Sequence, residues 1–269
     1  MDQSTLKKTR LFAILNIIAY FATLGFNYLG SSGFFNGNTQ KDISDKYMTL
    51  ISPVPFTFSI WGVIYTLLLI TLGYLLIKHK NEKVSRLVLM ISPLFIVSSL
   101  FNMGWIVVFS YEWIGLSTLL IAGLLFSLLF IVERIYKHRF EVPSTLTGLA
   151  FTLYAAWVFI ATIVNISLSL VQLGWDGFGI SDSIWTLVIL GVAIGFVLFY
   201  LARFKNAAFP LPIAWAFFGI YSAYASGMLD PEMAGVIQGV LLAGIAIFLI
   251  AVIWRFLKNG KALFPKQSV

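Results

Sequence analysis

The chain has 269 residues, of which 59% are hydrophobic and 11% charged, with a mean hydropathy of +0.93. A soluble domain carries roughly 25% charged residues, so these values exclude an ordinary water-soluble protein and point to one compact domain solvated by lipid. The formal net charge of +7 is no sign of nucleic acid, because the basic residues lie in short loops between apolar runs, and the lack of any cysteine excludes disulfides, Cys-ligated zinc, iron–sulfur clusters and thiol catalysis.

Eight apolar segments follow one another, at about residues 11–30, 54–77, 87–109, 115–133, 144–171, 184–202, 209–228 and 233–256. Each is near the ~20 residues that a helix needs to cross a bilayer. The expected fold is therefore an all-α polytopic integral membrane protein with eight transmembrane helices. The first segment is too long for the h-region of a signal peptide and no A-x-A site follows it, so it is read as an uncleaved helix. The outer loop at 31–53 is rich in Gly, Asn and Ser and is the longest connection, a candidate lid over a binding site. The second segment opens with Pro53 and Pro55, which are tolerated in a first helical turn, and carries Trp61 and Tyr65 four residues apart. The third places Asn102, Trp105 and Phe109 on one face. The fourth is Leu-rich and reads as a packing helix. In the fifth, Tyr154, Trp157, Ala161 and Asn165 recur at helical spacing, a stripe suited to other helices or a ligand and ill suited to lipid. The loop at 172–183 carries Trp175 and Phe178, which read as interfacial anchors. The sixth segment has no central polar group. The seventh contains Pro210, Pro212, Trp215 and Tyr221, and the eighth contains Gln238 among small residues suited to close helix contact.

Charge placement supports this count. With the N-terminus inside, 16 of the 18 Lys and Arg residues fall in inner segments and only Lys41 and Lys46 fall outside, whereas seven or nine spans would scramble the asymmetry. Both termini are then expected in the cytoplasm and the protein in the inner or plasma membrane.

The chemistry on offer is narrow. His79 and His138 lie in inner loops, no His/Asp/Glu cluster has metal-ligand spacing, and no phosphate-binding loop is present. No Asp, Glu, Lys or Arg sits mid-span, which argues against a proton-coupled pump, and the missing acid–base pair argues against ordinary hydrolysis. What remains is aromatic residues and amides: 8 Trp, 11 Tyr and 25 Phe are more than an anchoring belt requires. They serve either as helix–helix glue, with buried amides bonding across interfaces, or as the lining of a pocket for a large, flat, hydrophobic ligand.

Three segments together resemble the translocator protein / tryptophan-rich sensory protein family (TspO/MBR, the peripheral benzodiazepine receptor type). The family has a proline-rich entry to its second helix followed by Trp and, four residues on, Tyr; Pro53, Trp61 and Tyr65 fit. Its third helix has Asn-x-x-Trp-x-x-x-Phe, matched by Asn102, Trp105 and Phe109. Its fifth has Tyr-x-x-Trp-x-x-x-Ala-x-x-x-Asn, matched by Tyr154, Trp157, Ala161 and Asn165. The chain departs from the pattern in reading Pro53-Val54-Pro55 for an adjacent proline pair, in placing Phe58 three residues before Trp61 where the family has Phe four before, and in having Leu153 where Pro is common.

The resemblance implies a five-helix core over residues 1–172, whose pocket opens beneath the first loop. Residues 173–269 add three helices and a basic tail; these either cover the surface through which five-helix members form homodimers or add a second cavity. The implied partners are the bilayer and a hydrophobic small molecule, a porphyrin or a sterol-like lipid, with no covalent cofactor. The implied ligand-binding residues are Trp61, Tyr65, Asn102, Trp105, Tyr154, Trp157, Ala161 and Asn165, with Trp61 and Trp157 lining the pocket. Three functions are compatible with these residues: a sensor, receptor or carrier; a facilitator-type transporter hinged at Pro210 and Pro212; or an enzyme degrading porphyrin in light through Trp61 and Trp157.

Overall fold

The computed structural model describes residues 1–265; Lys266, counted above with the basic tail, lies outside them. Among the described residues the chain is helical throughout, in the order α1 (Gln3–Ser31), α2 (Gln40–Lys46), a 3-10 turn (Pro55–Ser59) leading into α3 (Ile60–Ile77), α4 (Glu82–Ser110), α5 (Ile114–Lys137), α6 (Ser144–Gln172), α7 (Asp182–Phe204), α8 (Pro210–Ala225) and α9 (Ala234–Lys258). Helices are what lipid demands, since each backbone polar group must find its partner within its own segment.

Seven of these helices, with the turn and α3 counted as one, are long and apolar enough to cross a membrane. Apart from the seven-residue α2, the exception is α8. It occupies the seventh expected segment but has 16 residues, about 24 Å at 1.5 Å per residue against a hydrocarbon core of about 30 Å. Pro210 and Pro212 set its first turn, and its interior residues are enclosed by protein, Ile213, Phe217 and Ile220 among them.

Helix α6 is the most enclosed of the long helices and packs against α3, α5 and α8. Helices α1 and α4 are held side by side by buried polar pairs. Thr9 and Ser85 hydroxyls meet at 2.6 Å, the Asn16 amide donates to Ser92 Oγ at 2.8 Å, and the Asn27 amide donates to Asn102 Oδ1 at 2.9 Å. Residue numbers rise together along this ladder, so the two helices run parallel, as two spans crossing in the same direction must. One hydrophobic core runs from Ala13 in α1 through α6 to Phe217, Phe248 and Phe264. At the end of the bundle that carries the basic loops, Asn206 donates to Thr152 Oγ1 at 2.8 Å and Ala207 N–H donates to the Leu263 carbonyl at 2.9 Å. There Phe264 lies so close to α6 that a Cβ on Gly148 would come within 2.7 Å of its ring.

In the loop at 172–183, Trp175 packs its ring against Phe178 and Trp185, with centroids 5.4 and 5.1 Å away. Phe178 is 79% exposed, consistent with an interfacial anchor.

Candidate functional site

At the opposite end of the bundle from the basic loops, a cavity of about 530 Å³ lies between α1, α2, α3, α4, α6 and α8. Its aromatic floor comes from two helices and the turn before α3. Trp61 stacks on Tyr65 with centroids 5.1 Å apart and planes at 16°, which the i,i+4 spacing on α3 permits. Trp157, near the middle of α6, meets Trp61 edge-on at 6.1 Å, and Phe58 meets Trp157 edge-on at 6.2 Å. Such edge-to-face contacts fix ring orientation and contribute about 0.5–1.5 kcal/mol each beyond burial.

Of the buried polar side-chain atoms that lack a hydrogen-bond partner among the described residues, two belong to residues lining this cavity: Tyr65 OH and Trp157 Nε1. Buried donors are nearly always satisfied. Two unsatisfied ones thus belong to residues of the same aromatic floor.

The amides behave differently, and their bonds explain why. Asn165 lines the cavity, but its polar atoms are already committed. Its Oδ1 accepts from Trp105 Nε1 at 2.8 Å, and its Nδ2 donates to Thr118 Oγ1 at 2.7 Å and Ser117 Oγ at 3.0 Å. It joins α4, α5 and α6 and presents Trp105 as a wall. Asn102 accepts from Asn27 and donates to Tyr154 OH at 3.1 Å. Neither Asn102 nor Tyr154 lines the cavity; they stand behind it, with Tyr154 edge-on to Trp61 at 5.8 Å. Thus Trp61, Tyr65, Trp105, Trp157, Ala161 and Asn165 are brought to one cavity, and Asn102 and Tyr154 support it from the second row. Phe109 lines it as well.

The loop at 31–53 folds over the mouth. Helix α2 begins with a reciprocal capping box between Thr39 and Asp42, the Thr-x-x-Asp spacing that makes such a cap readable in a sequence. Ile43 points inward and is buried in a small cluster with Phe109, Ile114 and Leu168. A polar latch holds the far end. Lys46 Nζ donates to Glu112 Oε2 at 2.6 Å, Tyr47 OH donates to the same oxygen at 2.7 Å, and Gln172 Nε2 donates to the Glu112 carbonyl at 2.8 Å. These hydrogen bonds, from Lys46 and then Tyr47, hold the Glu112 carboxyl below its ordinary range. Gln40, Lys41, Ser44 and Asp45 make a polar rim above the apolar floor, with Lys41 and Asp45 paired.

Helix α8 closes the remaining side with Ala216 and Ile220, joined by Met228 just beyond it, so the added C-terminal helices take part in the cavity. Three hydrogen bonds tie them to the segment that carries Phe58: Val54 N–H to the Gly219 carbonyl at 3.2 Å, Trp215 Nε1 to the Thr57 carbonyl at 2.8 Å, and Tyr224 OH to the Leu50 carbonyl at 2.7 Å. Gly219 is required for this contact, because a Cβ there would fall 2.0 Å from Thr57 Oγ1. Nothing in the α8 sequence alone announces this role, since Ala216, Gly219 and Ile220 are ordinary residues of an apolar helix.

The site is therefore an aromatic chamber with two unused donors, a polar rim and a latched cover. Among the described residues, no group of three His, Asp or Glu residues could hold a metal ion. No curated protein and no solved structure matches the chain. A family model described as TSPO-like protein matches residues 13–254, running on through α7, α8 and into α9. With its helical membrane architecture and a match over most of its length, the chain belongs to the TSPO-like protein family.

Proposed function

We propose that this protein is a membrane receptor or carrier for a flat, hydrophobic, aromatic ligand of the porphyrin or sterol-like kind, bound between Trp61, Tyr65 and Trp157. The observation that carries this reading is the pair of partnerless buried donors, Tyr65 OH and Trp157 Nε1, in the floor of one cavity. The volume of about 530 Å³ lies within the ~300–1,000 Å³ of small-molecule sites. Aromatic faces supply non-directional affinity, and the two donors favour a ligand with a carbonyl, carboxylate or ring-nitrogen acceptor. Trp105, Ala161 and Asn165 shape the wall, and Asn102 and Tyr154 hold Trp61 in place from behind.

In this reading all eight segments cross the bilayer, α8 doing so as a short helix sheltered by α6 and α9, and both ends of the chain lie on the cytoplasmic side with the basic loops. The cavity then faces the outer side, beneath α2.

The test is a protoporphyrin titration of the purified full chain, followed by quenching of Trp fluorescence. Saturable quenching is expected, weakened roughly tenfold or more in Trp157→Ala and in Trp61→Ala, since each loses a large aromatic contact. Affinity unchanged in both variants would remove the ligand from this cavity.

A further inference from the structure

A second cavity, of about 430 Å³, opens at the other end of the bundle, between the end of α3, the start of α4 and the α5–α6 loop. Its polar lining is Lys78, Asn81 and Lys83, and no carboxylate lines it. Two neighbouring cations are paired, Arg86 with Glu141 at 2.7 Å and Lys137 with Glu133 at 2.8 Å. Lys78 and Lys83 form no ion pair among the described residues. Asn81 caps α4, its Oδ1 accepting from the Lys83 and Val84 N–H groups at 3.0 and 3.2 Å. That orientation leaves its Nδ2 as a donor. Arg139 adds further positive charge nearby, its guanidinium lying 4.2 Å from the centre of the Phe140 ring.

The height of this cavity in the bundle matters as much as its charge. Ile77, the last residue of α3, is 75% exposed at the end of a helix long and apolar enough to cross a membrane, and Lys78 follows it directly. Tyr74, one turn earlier, lines the same cavity together with Phe140, Val142 and Pro143. Cationic groups thus meet apolar walls where a membrane-length apolar helix ends, the level at which lipid phosphates are expected. Basic recesses of this kind attract anionic lipids, with about 1 kcal/mol for each Lys or Arg near the surface.

We propose that this cavity binds a phosphate-bearing anion, the headgroup of an anionic phospholipid. Lys78 and Lys83 are its cationic contacts, Asn81 Nδ2 is a neutral donor, and Tyr74 and Phe140 lie along the first carbons of the acyl chains. The site is separate from the aromatic chamber and does not depend on its occupant.

The experiment is native mass spectrometry of the purified full chain with phosphatidylglycerol, with phosphatidylcholine and, separately, with inorganic phosphate. It compares wild type, Lys78→Gln/Lys83→Gln and the charge-matched control Lys7→Gln/Lys8→Gln. All four lysines are exposed, so each variant should fold, and a thermal melt checks this. One saturating phosphatidylglycerol adduct is expected, favoured roughly tenfold over phosphatidylcholine, lost in the first variant and kept in the control. Binding of inorganic phosphate with the same loss, and no preference for phosphatidylglycerol, would keep the phosphate site and make free phosphate its occupant. Undiminished phosphatidylglycerol binding in the first variant, or equal loss in the control, would overturn the site.

Discussion

Replacing Gly219 with alanine tests whether α8 is part of the binding chamber or only a neighbour of it. The added methyl would lie 2.0 Å from Thr57 Oγ1, 2.7 Å from its Cγ2 and 2.9 Å from its Cβ. Thr57 is fully buried on a short turn, so it cannot simply swing away, and the turn has to move by roughly 1.5 Å to restore ordinary contact. Overpacking of this kind costs about 1–3 kcal/mol. Displacing the turn also strains the bonds from Val54 to Gly219 and from Trp215 to Thr57, each contributing about 1 kcal/mol. A total of about 2–4 kcal/mol follows, and the apparent Tm in detergent should fall by roughly 5 °C or more. Phe58 rides on the same turn and touches Trp157, so porphyrin affinity should fall with it, by about tenfold for each 1.4 kcal/mol transmitted. Thr57 Oγ1 has no partner, which makes Thr57→Ala a mild change alone and a relieving one beside Gly219→Ala. The double variant should recover at least half of both losses, a coupling that a double-mutant cycle reads directly. Wild-type melting and affinity in Gly219→Ala, or no recovery in the double variant, would refute the clamp between α8 and the turn.

Three further outcomes are expected. Asn165→Leu strips three hydrogen bonds from the α4–α5–α6 junction; at about 0.6 kcal/mol for each such bond in a membrane, it should lower stability by roughly 2 kcal/mol, seen as a lower Tm, with affinity falling less than in Trp157→Ala. The latch on α2 should be fully formed above the ordinary glutamate value of 4.5 and lost as pH falls below it through the lowered value of Glu112, since a depressed carboxyl pKa stabilises only while the group is ionised; faster hydrogen exchange in residues 36–47 at low pH, and in Glu112→Gln at pH 7, is the readout. Single cysteines at Thr39 and Asn81, in a chain without native cysteine, should be labelled from opposite sides of the membrane, and labelling from the same side would overturn the proposed topology.

The helical stripes were legible in the sequence because their spacing fixes a face. The stripe from Trp157 to Asn165 does reach the chamber, and so do Trp61 and Tyr65. Spacing could not say which part of a face points inward. Tyr154 is three residues before Trp157, about 60° round an ideal helix, and that rotation is enough to turn it towards Asn102 and away from the cavity. Nor could spacing show that the Asn165 amide is spent on Ser117, Thr118 and Trp105 while the neighbouring Trp157 nitrogen is left free; hydrogen-bond accounting needs three helices at once. The cover was visible as a long polar loop, and Thr39 and Asp42 carried the sign of its helix. Helix α8 was hidden, since its contribution rests on the small size of Gly219 and Ala216, and small residues are common in any membrane helix.

The fit of Phe264 against Gly148 gives the molecule a direction. The chamber ends at Trp157 and Tyr65, and beyond them the bundle is filled by Phe95 and Phe151, edge-on at 5.6 Å. Further on, the tail seals the bundle, with Leu263 bonded to Ala207 and the Phe264 ring set in the notch at Gly148. Among the described residues, packed side chains fill the bundle on that side of the chamber. Passage of a molecule across the membrane would require both the Phe95–Phe151 packing to open and the Phe264 stopper to lift, so a chain trimmed before Leu263 should still lack a conduit unless that inner packing also moves.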